Sequence, residues 1–184
     1  MHDTGAGNQI NAIAASGSVI YAGWCGNGCN PAGAAPFTSG IDINYGGTWH
    51  TVHSPVLPNR IPTSFTIDPA NAAHVVVTYG AFSRHWIPGG GTGHVFASFN
   101  GGASWTDISG DLPDVPADSS VIWHHQLVVG TDIGVFSTSA FFPGDWHRLG
   151  QDLPPAPALD LAVSPDQGYL LVATHGRGLW KLEG

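Results

Sequence analysis

Residues Ser98 to Trp105 read SFNGGASW, and a second stretch, Asp42 to Trp49, reads DINYGGTW. Both have the form x-x-Asn-x-Gly-x-x-Trp. Each follows a short run of alternating apolar residues and precedes another, the setting of a hairpin turn. An asparagine side chain (Asn44, Asn100) can accept hydrogen bonds from backbone N–H groups across such a turn. The glycine two positions on (Gly46, Gly102) supplies a backbone with φ > 0. The tryptophan (Trp49, Trp105) then has a large apolar surface to bury.

Working outward, the chain divides into four units with a shared plan. Each opens on a strand of period-2 alternation: INAIAAS (Ile10–Ser16), TSFTIDP (Thr63–Pro69), SSVIWH (Ser119–His124) and ALDLAVSP (Ala158–Pro165). Second strands SVIYAGW, HVVVTYG, QLVVGTD and YLLVATHG follow, then third strands SGIDIN, GHVFASFN, GVFSTS and GLWKLE. In three units a Trp-led fourth segment closes the repeat: GGTWHTV, GGASWTDIS and PGDWHRLG; the fourth unit stops after its third strand. Helical periodicity is absent. Four-stranded units at this spacing predict an all-β chain, a β-propeller with antiparallel blades over about 9–53, 62–109, 118–149 and 157–184 in one domain spanning 1–184. Pro-rich crossovers join the units (SPVLPNRIP, SGDLPDVPADS, GQDLPPAPA), where a residue with fixed φ and no N–H is tolerated.

The Asn turns, in register with four such units, resemble the Asp-box or BNR repeat of sialidase-like propellers, with Asn in place of Asp. GTDIGVF (Gly130–Phe136) and ATHGRGLWKL (Ala173–Leu182) are similar to the closing blades of bacterial BNR and sortilin-type (VPS10-like) propellers. The resemblance implies a structural role for Asn44, Gly46, Trp49, Ser98, Asn100, Gly102 and Trp105 and a chain that is the C-terminal part of a longer propeller. A composition poor in Lys and Glu and rich in Gly, Ser, Thr and Asn is that of secreted proteins, and with no secretory signal at the N-terminus Met1 is expected to be a fragment start. Pairing with a second copy or with missing N-terminal blades is expected to cover open strand edges.

Composition narrows the function classes. A 42% hydrophobic content with seven Trp and eight Phe demands a packed core rather than disorder. Five basic residues against thirteen acidic ones, twelve of them Asp, leave no basic footprint for nucleic acid. No apolar run reaches the length of a membrane-spanning helix. Cys25 and Cys29 in WCGNGC fit a small disulfide loop in an oxidising compartment or two reduced thiols; further ligands for a metal are not in evidence. Ten histidines show no metal-binding spacing, and no cofactor motif occurs.

The segment PNRIP, around Arg60, is similar to the arginine motif with which sialidases grip a carboxylate. The Tyr–Glu partnership of those enzymes is missing, because the single Glu, Glu183, lies at the chain end. Arg60 instead aligns with the other crossovers. Long loops between second and third strands (24–38 and 81–93) emerge on the same face as the crossovers. Trp24, Arg60, Arg84, His85, Trp86 and Asp114 are therefore the candidate ligand contacts, suited to sugar or peptide. The expected function is a non-catalytic module binding carbohydrate or protein through that face. The alternative is a fragment of a sialidase- or xyloglucanase-like glycoside hydrolase, with Asp111, Asp114, Asp118 and Asp152 as candidate carboxylates.

Overall fold

A computed structural model describes residues 3–5, 7–26, 29, 37–82, 93–140 and 143–184. Four antiparallel sheets follow one another along the chain. The first contains β1 (Gln9–Ser16), β2 (Val19–Cys25), β3 (Ser39–Asn44) and β4 (Trp49–Thr51). The second contains β5 (Pro62–Asp68), β6 (Asn71–Tyr79), β7 (Val95–Ser98) and β8 (Thr106–Asp107). The third runs β9 (Ala117–Trp123), β10 (Gln126–Thr131), β11 (Gly134–Ser139) and β12 (His147–Arg148). The last holds only β13 (Ala158–Val163), β14 (Tyr169–Thr174) and β15 (Gly178–Glu183), so it is three-stranded rather than four-stranded. The strand order in every sheet is the order in sequence, because short turns allow only neighbouring antiparallel pairs.

Sheets stack through three apolar joints. Tyr21, Ile41 and Ile43 of the first meet Phe65, Val77 and Phe96 of the second. Val76, Val95 and Ala97 meet Leu127, Val129 and Trp146. Val128 and Val135 meet Leu161, Leu170 and Val172. The leucine of each Leu-Pro crossover (Leu57, Leu112, Leu153) lodges in the joint that its crossover spans, so those segments wedge the sheets apart at a fixed spacing. First strands are adjacent, β1 to β5 to β9 to β13. Hydroxyl groups stitch them: Thr63 Oγ1 donates to the Ala117 carbonyl (2.6 Å), and Thr66 Oγ1 to that of Ser120 (2.7 Å).

Each first strand carries one β-bulge near its start. The ladder skips Asn11, Thr63, Asp118 and Leu159, at the same place in all four sheets. Immediately opposite, the residue after the second strand donates its N–H to the carbonyl before the first: Gly80 to Ile61, Asp132 to Pro116 and His175 to Pro157. A bulge with a backbone clasp is a device that turns one side chain out of the pleat.

The turn Ser98–Trp105 closes through Asn100. Its Oδ1 accepts from the Ser104 N–H and the Ser98 hydroxyl (2.9 Å each), and the Gly102 N–H donates to Ser98 Oγ (2.8 Å). Gly102 has φ +90° and its Cα faces Ile43 of the first sheet, leaving no room for a side chain. Trp105 is buried in that joint, its indole N–H on the Gly102 carbonyl (3.1 Å). The sister turn differs. Gly46 has φ +83° and Trp49 is half-buried, but Asn44 Oδ1 is buried with no donor. His124, read in the sequence as the end of a strand, instead forms with His125 the two-residue turn between β9 and β10, both at positive φ (49° and 61°). That is the geometry of a type I′ hairpin, whose twist matches the strands.

Candidate functional site

Crossovers and second-to-third-strand connections meet at one end of the sheets, and there the structure assembles a buried polar chain. Arg60, from the first crossover, is fully enclosed. Its Nη1 donates to the Ala81 carbonyl (3.2 Å) and to His94 Nδ1 (3.2 Å). An arginine is always a donor, so Nδ1 accepts and the imidazole proton sits on Nε2. From Nε2 it donates to Asp114 Oδ1 at 2.7 Å. His94 is 1% exposed, whereas the Asp114 side chain is 60% exposed. The chain thus runs from an enclosed cation, through a neutral histidine, to a carboxylate at the surface.

Electrostatics fix these protonation states. Burial lowers the His94 pKa, and the Arg60 charge lowers it further against the opposing hydrogen bond that His94 donates to Asp114. Burial likewise weakens the hold of Arg60 on its proton, offset by the fields of Asp114 and Asp107. Among the described residues, Arg60 Nε and Nη2 have no hydrogen-bond partner. A buried guanidinium with unfilled donors is expensive, and a direct carboxylate partner would relieve it. Here the carboxylate is one histidine away, which orients Asp114 instead of neutralising the arginine directly.

Asp114 opens onto a cleft of about 410 Å³ lined by Gly93, His94, Asp107, Ser109, Gly110 and Leu112. Asp107 is held by the Ser109 N–H on its Oδ1 (2.9 Å), and the Ser109 hydroxyl accepts from the His94 backbone N–H (2.8 Å). The Ser109 hydroxyl is spent on the His94 and Val95 N–H groups and the Val95 carbonyl, so it is the two carboxylates bordering this space that can accept hydrogen bonds from a hydroxyl-rich ligand.

Of the candidate contacts, Arg60 and Asp114 come together, joined by His94, which sequence reasoning passed over. Arg60 is enclosed rather than facing a ligand, so it acts through His94. Trp24 is apart from them: its indole donates to Asp42 Oδ1 (3.1 Å) and covers Gly40 of its own sheet. Arg84, His85 and Trp86 lie outside the described residues. Cys25 and Cys29 form a disulfide, with Cα atoms 5.1 Å apart, beside the Asn11 amide. Among the described residues no group of three or more His, Cys, Asp or Glu could hold a metal ion.

No protein family and no curated protein sequence matches the chain. Solved structures do. A gluconolactonase from Xanthomonas campestris is similar over all of this chain and 60% of its own, with a TM-score of 0.66 and 15% identity. The GH74 xyloglucanase of the same organism is similar over 97% of this chain and 29% of its own (TM-score 0.60, 16% identity). PorZ, a bacterial surface component of the type-IX secretion system of Porphyromonas gingivalis, is similar over 95% and 26% (TM-score 0.61, 18% identity). The chain spans less than two thirds of each. At such identities the likeness speaks to the fold, and together with four consecutive antiparallel sheets it makes this an all-β chain of β-propeller type.

Proposed function

We propose that this chain is a non-catalytic module of a secreted protein, part of a larger propeller of Asp-box type, that binds carbohydrate through the end bearing its crossovers. The Asp114 cleft is the contact. The observation that carries the reading is the Arg60–His94–Asp114 chain: a fold that encloses a charge and leaves two of its donors unfilled gains an oriented surface carboxylate in return. Carboxylates held in this way accept paired hydrogen bonds from vicinal hydroxyls. The disulfide supports an oxidising compartment. Exposed Ile13 on β1 (69%) and Leu179 on β15 (67%), at the two ends of the sheet series, are the surfaces that further blades or a second copy would cover.

A glycan array probed with the wild type and with Asp114→Asn tests this. Binding that the substitution abolishes supports it; an array without signal, or signal indifferent to Asp114, overturns it. A second reading, a glycoside hydrolase fragment, is favoured by Asp107 and Asp114 lining the same cleft. Glycan turnover that Asp114→Asn abolishes would replace the non-catalytic reading with that one.

A further inference from the structure

The Cys25–Cys29 bridge joins residues four apart, the kind of disulfide that restrains the unfolded chain least. Its effect is therefore local, and its neighbours show where it acts. Cys25 is fully buried with Phe37, and Cys29 and Ile61 pack on that pair. Ile61 follows Arg60 in the first crossover. On the other side of Arg60, the Asn59 amide donates to the Phe37 carbonyl (2.8 Å) and accepts from the Ser39 hydroxyl (3.1 Å). Both flanks of the enclosed arginine thus rest on the cluster built around the disulfide. The Ile61 carbonyl in turn accepts from the Gly80 N–H (3.0 Å), one residue before the Ala81 carbonyl that holds Arg60 Nη1.

A second observation bears on the bond itself. Asn11, which the β1 ladder skips, sets its Oδ1 2.7 Å from Cys25 Sγ and 3.1 Å from Cys29 Sγ. The sulfurs of a disulfide carry no proton, so this acceptor faces two atoms with nothing to donate; as thiols, both can donate. A contact that is idle in the oxidised chain is a hydrogen bond in the reduced one. Access is one-sided. Cys25 is fully buried and Cys29 is partly exposed, so an incoming thiolate reaches Cys29 Sγ and Cys25 is the leaving group. Cys29 also sits at φ +58°, a left-handed backbone conformation that costs a side chain energy and that the bridge helps to hold.

We propose that the Cys25–Cys29 disulfide is a redox latch on the Arg60–His94–Asp114 site: closed, it holds the crossover that aims Asp114, and a small thiol opens it. Opening takes two exchanges. A thiolate attacks Cys29 Sγ, the bond to Cys25 breaks, and Cys25 leaves as a thiolate that takes up a proton and donates to Asn11 Oδ1. A second thiolate attacks the small-molecule sulfur of the mixed disulfide and releases Cys29. Two thiols are oxidised to their own disulfide, and the protein bond takes up two electrons and two protons. Ile61 then packs against two separate side chains, and Arg60 loses an anchor that fixes its approach to His94. The effect on ligand binding rests on the reading of the Asp114 cleft as the contact, whereas the coupling of the disulfide to His94 does not.

The test is NMR of the His94 imidazole in the intact chain, titrated with glutathione redox buffers, with reduction counted by mass spectrometry after alkylation. Reduction should move the His94 ring resonances toward their positions in Arg60→Met and leave the Val172 amide, in the last sheet, unmoved. Asn11→Ala should raise the ratio [GSH]²/[GSSG] at half-reduction by about threefold, the worth of one modest hydrogen bond. A glycan that binds the oxidised chain should bind the reduced one at least fivefold more weakly; where no glycan binds, the Asp114 reading fails and the His94 resonances alone decide. The proposal is overturned by His94 resonances that stay in place when every chain is alkylated twice, by a Val172 amide that moves as far as His94, by an Asn11→Ala midpoint equal to that of wild type, or by a glycan held equally by both forms.

Discussion

Replacing Asp118 with asparagine isolates the energetic consequence of facing two carboxyl groups across a confined space. Burial, then the charge and hydrogen bond of Asp132, push the Asp118 carboxyl from 3.8 up to about 6. A raised acid binds its proton more tightly in the folded chain than in the unfolded one, so stability from this group is present below pH 3.8 and is lost as pH rises through 6. A displacement of about two pH units corresponds to about 3 kcal/mol at most, and residual solvent contact trims that to about 2 kcal/mol. Asparagine keeps the shape of the protonated acid, donates to Asp132 and does not titrate. The variant and the wild type should therefore be about equally stable at pH 4, and the variant should gain between about pH 4 and pH 6 and level off at about 2 kcal/mol above that. Urea denaturation at half-unit intervals between pH 4 and pH 8, with equal m-values verified, reads this directly. A constant offset across that range, or a variant that loses ground as pH rises, refutes the reasoning.

Asn100→Ala removes an oxygen accepting two hydrogen bonds and should cost about 1–2 kcal/mol in urea unfolding, while Asn44→Ala, whose Oδ1 has no donor, should cost less than about half of that. Arg60→Met removes an enclosed charge with two unfilled donors, so stability should stay within about 1 kcal/mol of wild type; the His94 titration followed by NMR should move to higher pH, because the guanidinium holds it down. Gly130→Ala sets a methyl against the Ala158 carbonyl where β10 passes β13, and thermal unfolding should show a loss of about 1–3 kcal/mol.

Strands and turns were legible because their causes are local. Period-2 alternation depends on neighbours two residues away, and the Asn100 turn is specified within eight residues. The leucine wedges of the crossovers were visible as a recurring Leu-Pro phrase, although their lodging in the joints was not. What escaped reading is long-range. His94 meets Arg60 across 34 residues and Asp114 across 20, and nothing in GTGHVF marks that histidine as a partner of either. Arg60 was placed in its crossover correctly, yet no local signal says whether a crossover arginine turns outward or in. Asp118 stood among the candidate carboxylates, but Asp132 read as part of a strand-end phrase, TDIG. One signal could have paired them. A proline lies just before the bulge in three units (Pro62, Pro116, Pro157), and aligning the units on it sets Asp118 and Leu159 in one column, with Thr63 one position earlier.

Unfilled polar atoms are the thread joining the Arg60 and Asp118 networks. Among the described residues, four buried side-chain atoms lack a partner: Arg60 Nε and Nη2, Asp118 Oδ2 and Asn44 Oδ1. Three of the four sit at the end where crossovers and inter-strand connections gather. A sequence that satisfies its turns as fully as Asn100 does has the means to satisfy these atoms too, and local rules broken together at one place mark selection for something other than stability. The two networks share no residue, so their effects on stability should add within about 0.5 kcal/mol. A chain carrying both Arg60→Met and Asp118→Asn is then expected to be more stable than wild type at pH 8, while losing the titration at Asp118 and the orientation of Asp114 together. A double variant markedly less stable than the sum of the single ones would show that the networks are coupled, and that the polar atoms serve the fold itself.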